Sequence, residues 1–207
     1  MAEDLVFYTH PMSRGRIARW MLEEVGQPYR TEVLDYATTM KAPAYLAVNP
    51  MGKVPALRHG GVVVTEAPAI CAYLADAFPQ AGLAPPPGDR ARGPYYRWLF
   101  FAAGPIEAAA TNKALGVAEP PIERQRMLGY GSLQRVLDTI ESALQDGEYL
   151  AGGRFSAADL YLGSHLGWGM QFGTIDRRPT FVDYVAKLRS RPAAVRAAQI
   201  DDALLAK

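Results

Sequence analysis

Over its first eighty or so residues the chain changes hydrophobic rhythm every few positions, and after that it keeps a helical one to the end. Leu5-Val6-Phe7-Tyr8 is an apolar run of strand length. Ser13 then reads as the N-cap of a helix to about Val25, with Ile17, Trp20, Met21 and Val25 on its inner face. Gly26-Gln27-Pro28 stops it. Thr31 to Leu34 predicts a second strand, and Ala42 to Val48 a short helix or helical turn. Pro55 to Arg58 and Val62 to Thr65 flank His59-Gly60-Gly61 and predict a hairpin. After Thr65, the apolar residues Ile70, Tyr73, Leu74, Ala77 and Phe78 recur at the spacing of a core-facing helix.

The predicted order is thus βαβ-αββα in about 80 residues. Pro79-Gln80-Ala81-Gly82-Leu83-Ala84-Pro85-Pro86-Pro87-Gly88 follows, a run that holds neither a helix nor a central strand. The reading divides the chain into a domain of residues 1–79, a linker of 80–89 and an all-helical region of 90–207. Within the last, one long helix starts near Arg90 with a kink at Gly104-Pro105, and a second runs from about Pro121 to Gln145. A third starts at Ser156: Ser156 caps, Asp159 takes the capping-box position in place of Glu, and Phe155 with Leu160 makes a hydrophobic staple. Two more helices are expected near Thr180 to Ser190 and Pro192 to Leu204.

Composition narrows the function classes. With 207 residues, 49% hydrophobic and 21% charged, the chain can bury an ordinary core. A net charge of +1 without a long basic run argues against nucleic acid as the main partner. Trp98 to Ala110, the richest apolar stretch, is too short to span a bilayer and contains Glu107, so no membrane partner is expected. Met1-Ala2-Glu3-Asp4 is acidic and has no apolar core of a signal peptide. Cys71 is the single cysteine, which rules out an intramolecular disulfide and fits a reducing, cytoplasmic location. Three scattered histidines and one cysteine offer no metal-ligand spacing, so no metal is expected. Without a C-x-x-C, thiol–disulfide exchange by the chain itself is not expected.

Two motifs carry the chemistry. In Asn49-Pro50-Met51-Gly52-Lys53-Val54-Pro55-Ala56-Leu57, Pro55 enters a short apolar strand without an N–H to give, in a form open to a cis bond. This leaves the Val54 backbone groups available to an extended ligand, as in strand addition. In Thr65-Glu66-Ala67-Pro68-Ala69-Ile70, Glu66 opens a helix, so a carboxylate lies beside unsatisfied N–H groups. One such site can take both an ammonium and a carboxylate, the two ends of a small peptide.

These motifs, their order, the proline-rich linker, the helical second half and Phe155-Ser156-Ala157-Ala158-Asp159 together resemble the cytosolic glutathione S-transferase family. The resemblance covers nearly the whole chain. It implies an α/β thioredoxin-like domain followed by an all-α domain, in a bacterial-type homodimer active in detoxification. Glutathione would be the co-substrate and an apolar electrophile the second substrate. Residue by residue, the resemblance implies that Val54 pairs with the cysteinyl part of glutathione and that Pro55 is the family's cis-proline. Glu66 would hold the γ-glutamyl ammonium, with the Ala67 N–H beside it, while Lys53 and Lys41 would lie near a tripeptide carboxylate. Ala67 stands where serine is common in the family, and losing one hydrogen bond to a charged group costs about 1.5–3 kcal/mol.

Thiol activation needs a donor aimed at the sulfur, and a helix N-terminus adds favourable potential. Ser13, in Pro11-Met12-Ser13-Arg14, meets both needs and occupies the serine or cysteine position of several family classes. Its plain alternative is a helix N-cap. Tyr8 is the rival thiol partner, with core packing as its own alternative, and His10 between them reads as a loop residue. The resemblance further implies an electrophile pocket with Met12, Trp98 and Phe101, although aromatic residues of that helix also serve as core. A second function class stays open: a non-catalytic glutathione-transferase-like binding or scaffold protein, favoured by Ala67.

Overall fold

In the computed structural model, which describes residues 4–206, four strands form one mixed sheet. They are β1 (Leu5–Thr9), β2 (Arg30–Val33), β3 (Ala56–His59) and β4 (Val62–Thr65), in the order β2-β1-β3-β4. β1 runs parallel to β2 and antiparallel to β3, with Tyr8 opposite Ala56, and β3 pairs with β4 so that Ala56 faces Thr65. The parallel pair is joined through α1 (Gly15–Val25), a right length for a crossover. A 3-10 turn (Thr39–Lys41) and α2 (Pro43–Leu46) lead into β3, and α3 (Ala67–Ala77) follows β4.

Burial follows the predicted pattern in α1, where Ile17, Trp20, Met21 and Val25 are buried. In α3 Ile70 and Leu74 of the predicted stripe are buried, Tyr73, Ala77 and the C-cap residue Phe78 only partly so, and Cys71 is buried beside them. Burial pushes the Cys71 thiol up to about 12, so this cysteine is a packing residue rather than a nucleophile.

The helical part begins with α4 (Arg92–Phe101). Gly104-Pro105 does not simply bend it: a π-helical turn, Ala102–Ile106, carries Pro105 and passes into α5 (Glu107–Ala114). The expected helix from Pro121 to Gln145 is two helices, α6 (Ile122–Gln125) and α7 (Leu133–Gln145). The break has a physical cause: Gly131 takes φ 70°, and Ser132 then caps α7 by accepting the Arg135 N–H at 3.3 Å. α8 (Ala157–Phe172), α9 (Pro179–Arg189) and α10 (Pro192–Leu205) complete the chain. At the start of α8, the fully buried Asp159 accepts from the Ser156 N–H (2.9 Å), the Ser156 hydroxyl (2.7 Å), the Leu150 N–H (2.8 Å) and the Tyr184 hydroxyl (2.7 Å). Burial pushes this carboxyl up, and those four donors pull the other way.

The fold packs as two compact units. Described residues up to Leu83 and those from Arg191 onward form one, and Ala84–Ser190 form the other. α10 therefore belongs with the sheet, where it packs on α1, rather than with the helices of residues 90–190. Charge pairing explains its seat. Arg19 of α1 is buried and donates from Nε to Asp201 of α10 at 2.7 Å, and Arg191 forks onto the Glu24 carboxylate at 2.6 and 2.8 Å.

Candidate active site

The topology brings the sequence motifs to one end of the sheet. β1 ends at Thr9 and β4 at Thr65, while β3 starts at Ala56. Since Tyr8 faces Ala56 and Ala56 faces Thr65, the segments carrying His10–Ser13, Val54-Pro55 and Glu66-Ala67 all leave the sheet at this end. Two helices, α1 and α3, point their N-termini there, each just after a strand. This is where the first unit gathers Tyr8, Met12, Ser13, Lys41, Lys53, Val54, Pro55, Glu66 and Ala67.

The Val54–Pro55 bond is cis. Among the described residues, neither backbone group of Val54 meets a backbone partner, because the ladder begins at Ala56. The loop before it is tied down. Asn49 is buried, accepts the Met51 N–H on its side-chain oxygen at 3.1 Å and donates to the Lys53 carbonyl at 2.8 Å. The Tyr45 hydroxyl donates to the same carbonyl at 2.6 Å. Burial pushes the Tyr45 phenol up to about 12, so it stays a donor. Lys41 reaches over to the Gly52 carbonyl at 2.6 Å, and Gly52 takes φ 56° to make the turn. Lys41, at the end of its 3-10 turn, is thus tied to the loop that carries Lys53, whose side chain is exposed.

Glu66 is the only non-glycine among the described residues with positive φ (65°, ψ 119°). It sits at the N-cap of α3, its carbonyl accepts the Ile70 N–H at 2.9 Å, and its side chain is exposed. A side chain held in such a backbone region costs about 1–3 kcal/mol, and strain of this kind gathers at binding sites. Pro68 removes one N–H from the first turn of α3. Among the described residues the N–H groups of Ala67 and Ala69 have no backbone acceptor.

Ser13 is not itself the N-cap residue of α1; Arg14 is, with backbone angles already helical. The capping oxygen nevertheless comes from Ser13, whose Oγ accepts the Gly15 N–H at 2.9 Å, while its hydroxyl donates to the His10 carbonyl at 2.6 Å. Gly15 makes this closeness possible. A Cβ there would lie 1.9 Å from Thr9 Oγ1 and 2.9 Å from Ser13 Oγ. Tyr8 is half-buried and packs against the buried cluster of Met40, Tyr45 and Ala56, as do Leu34, Val48 and Val54. Its ring lies 5.6 Å from that of Tyr45. Met12 is 66% exposed. Trp98 and Phe101 belong to the second unit, on α4, in edge contact at 5.3 Å, with Trp98 buried.

Sequence patterns missed the supports: Tyr45, Asn49, Gly15 and Tyr36, whose hydroxyl donates to the Met12 carbonyl at 2.9 Å. Asn49-Pro50 carried a signal, since asparagine before proline favours a turn bonded to its own backbone. The conformation of Glu66 carried none.

Two family descriptions match this chain: "Glutathione S-transferase, N-terminal domain" over residues 12–77 and "Glutathione S-transferase, C-terminal domain" over residues 107–168. The chain belongs to the glutathione S-transferase family. Its similarity to "Glutathione S-transferase GstA" of Escherichia coli O157:H7 is 35% identity over 125 residues, 60% of this chain and 61% of that protein. It is also 30% identical over 195 residues to "Probable glutathione S-transferase GSTF2" of Oryza sativa subsp. japonica, covering 87% of this chain and 88% of that one. Among solved structures, a sphingomonad glutathione S-transferase complexed with glutathione superimposes with a TM-score of 0.78 at 31% identity, over 95% of this chain and 98% of that one. The mixed sheet followed by helices is the fold of this family.

Proposed function

We propose that the chain is a glutathione transferase that activates the glutathione thiol at Ser13 and transfers it to an apolar electrophile. One observation carries the reading: an open backbone at Val54, a strained acidic residue at Glu66 and two helix N-termini meet at one sheet end. Glutathione lies extended along Val54, which pairs with its cysteinyl part as an added strand. Glu66 takes the γ-glutamyl ammonium, and the open Ala67 N–H takes the adjacent carboxylate. Lys53, with Lys41 behind it on the Gly52 carbonyl, offers positive charge to the other carboxylate.

The Ser13 hydroxyl turns from the His10 carbonyl to the sulfur and stabilises the thiolate, aided by the α1 N-terminus. The thiol proton passes to solvent, and the thiolate lone pair forms the new carbon–sulfur bond as the leaving group departs from that carbon with the electron pair of the bond that breaks. The electrophile rests against the exposed Met12. Holding both reactants together and stabilising the thiolate supply the rate gain. Membership of the family supports a homodimer, and a lone buried cysteine fits work in a reducing, cytoplasmic setting. Detoxification is the corresponding role.

A second reading is a non-catalytic glutathione-transferase-like binding or scaffold protein. Ala67 and the commitment of the Ser13 hydroxyl to the His10 carbonyl favour it. Titration calorimetry with glutathione, followed by turnover of a chloronitrobenzene, tests both. Binding with turnover is the expected result. Binding without turnover, or absence of glutathione binding, overturns the transferase reading and moves the protein to the second.

A further inference from the structure

We propose that His10 is the positioning residue for Ser13, holding the turn between them through its imidazole; this rests on the reading of Ser13 as the thiol partner. The ring Nδ1 accepts the Met12 N–H at 3.0 Å, the span that an asparagine or aspartate closes in an Asx turn. An Nδ1 that accepts carries no proton, so this geometry assigns the proton to Nε2. The ring lies 4.4 Å from that of Tyr36, and the Tyr36 hydroxyl takes the other backbone group of Met12, its carbonyl, at 2.9 Å. Both polar backbone groups of Met12 are therefore held by one pair of rings in contact, tilted at 48° to each other.

Packing cannot do this job, because Met12 is 66% exposed. Arg16 adds a bond from Nε to the Pro11 carbonyl at 2.6 Å, bracing the same turn from α1. Ser13 is the next residue, and its hydroxyl reaches the His10 carbonyl at 2.6 Å. His10 thus determines where Oγ stands when its hydrogen turns to a ligand, and touches no reacting atom itself. Around the ring, Tyr36 lies against it at an interplanar angle of 48°, and the exposed Asp35 directly precedes Tyr36 in the chain.

The test compares His10→Ala, His10→Asn and His10→Phe with wild type and Ser13→Ala. Ultraviolet absorbance of the bound thiolate is followed against pH at saturating glutathione, and the glutathione Kd is measured alongside. Asparagine restores an acceptor at the Nδ1 position, whereas phenylalanine keeps the ring contact and lacks the acceptor. The expected result is an upward move of the thiolate midpoint by roughly half to one pH unit in the Ala and Phe variants, and recovery in Asn. The Kd should stay within about twofold, since Val54 and Glu66 are untouched. The proposal is overturned if Asn is as impaired as Phe, or if Ala and Phe titrate like wild type while Ser13→Ala shifts. Should wild type and Ser13→Ala titrate alike, the Ser13 reading itself falls and takes this one with it. If His10→Ala does not fold, the Asn and Phe pair decides.

Discussion

The two helix starts at the site end of the sheet are built in opposite ways. At α1 the chain closes the N-terminus with its own side chains: Ser13 takes the Gly15 N–H, and the turn before it is bonded at Met12 and Pro11. At α3 the chain leaves the N-terminus open: Ala67 supplies no hydroxyl, Pro68 no N–H, and the N-cap residue Glu66 sits exposed at positive φ. A closed end fixes one hydroxyl in place, while an open one spends backbone strain to present an acidic group and unsatisfied donors. Under the proposed function, the first works on the sulfur and the second on the peptide's charged end.

Substitutions at each end separate these roles, and the largest effect should come from the closed one. Gly15→Ala places a methyl against the buried Thr9, and overpacking of this kind costs about 3 kcal/mol. Thermal or urea unfolding reads the loss directly; a change under about 0.5 kcal/mol would mean that the tight approach of α1 is not needed. Next in size is Glu66→Gly at the open end. It removes the carboxylate and should weaken glutathione by about 2 kcal/mol in calorimetry, as for a hydrogen bond to a charged group. The smallest effect is on the same variant's stability. Release of positive-φ strain should leave it equal to wild type or about 1 kcal/mol more stable, after the entropy cost of glycine. A variant that loses stability and keeps affinity would reverse the roles assigned to the two ends.

The sheet and its flanking helices were legible because their apolar periods are clean: the run Leu5–Tyr8, the hairpin around Gly60 and the stripe from Ile70. The Ser156–Asp159 box was legible for a similar reason, since all its parts are local. The seat of α10 was not. It depends on Arg19 and Asp201, 182 residues apart and both of a type that usually stays in water. The helix through Pro121 to Gln145 looked continuous because its apolar spacing continues across Gly129 and Gly131, whose turn is a backbone event. At the site, residue types pointed to the motifs, but the strain at Glu66 and the His10–Tyr36 ring contact are tertiary outcomes. No local propensity favours a glutamate at positive φ.

Ser13 as the thiol partner is tested by titrating bound glutathione by ultraviolet absorbance in wild type, Ser13→Ala and Tyr8→Phe. A free cysteine thiol has a pKa of about 8.5. The bound midpoint should lie clearly below that of free glutathione in wild type and in Tyr8→Phe, and return toward the free value, by about one unit or more, in Ser13→Ala. A Ser13→Ala protein that still lowers the midpoint, alongside a Tyr8→Phe protein that does not, would contradict that role for Ser13 and move the chemistry to Tyr8.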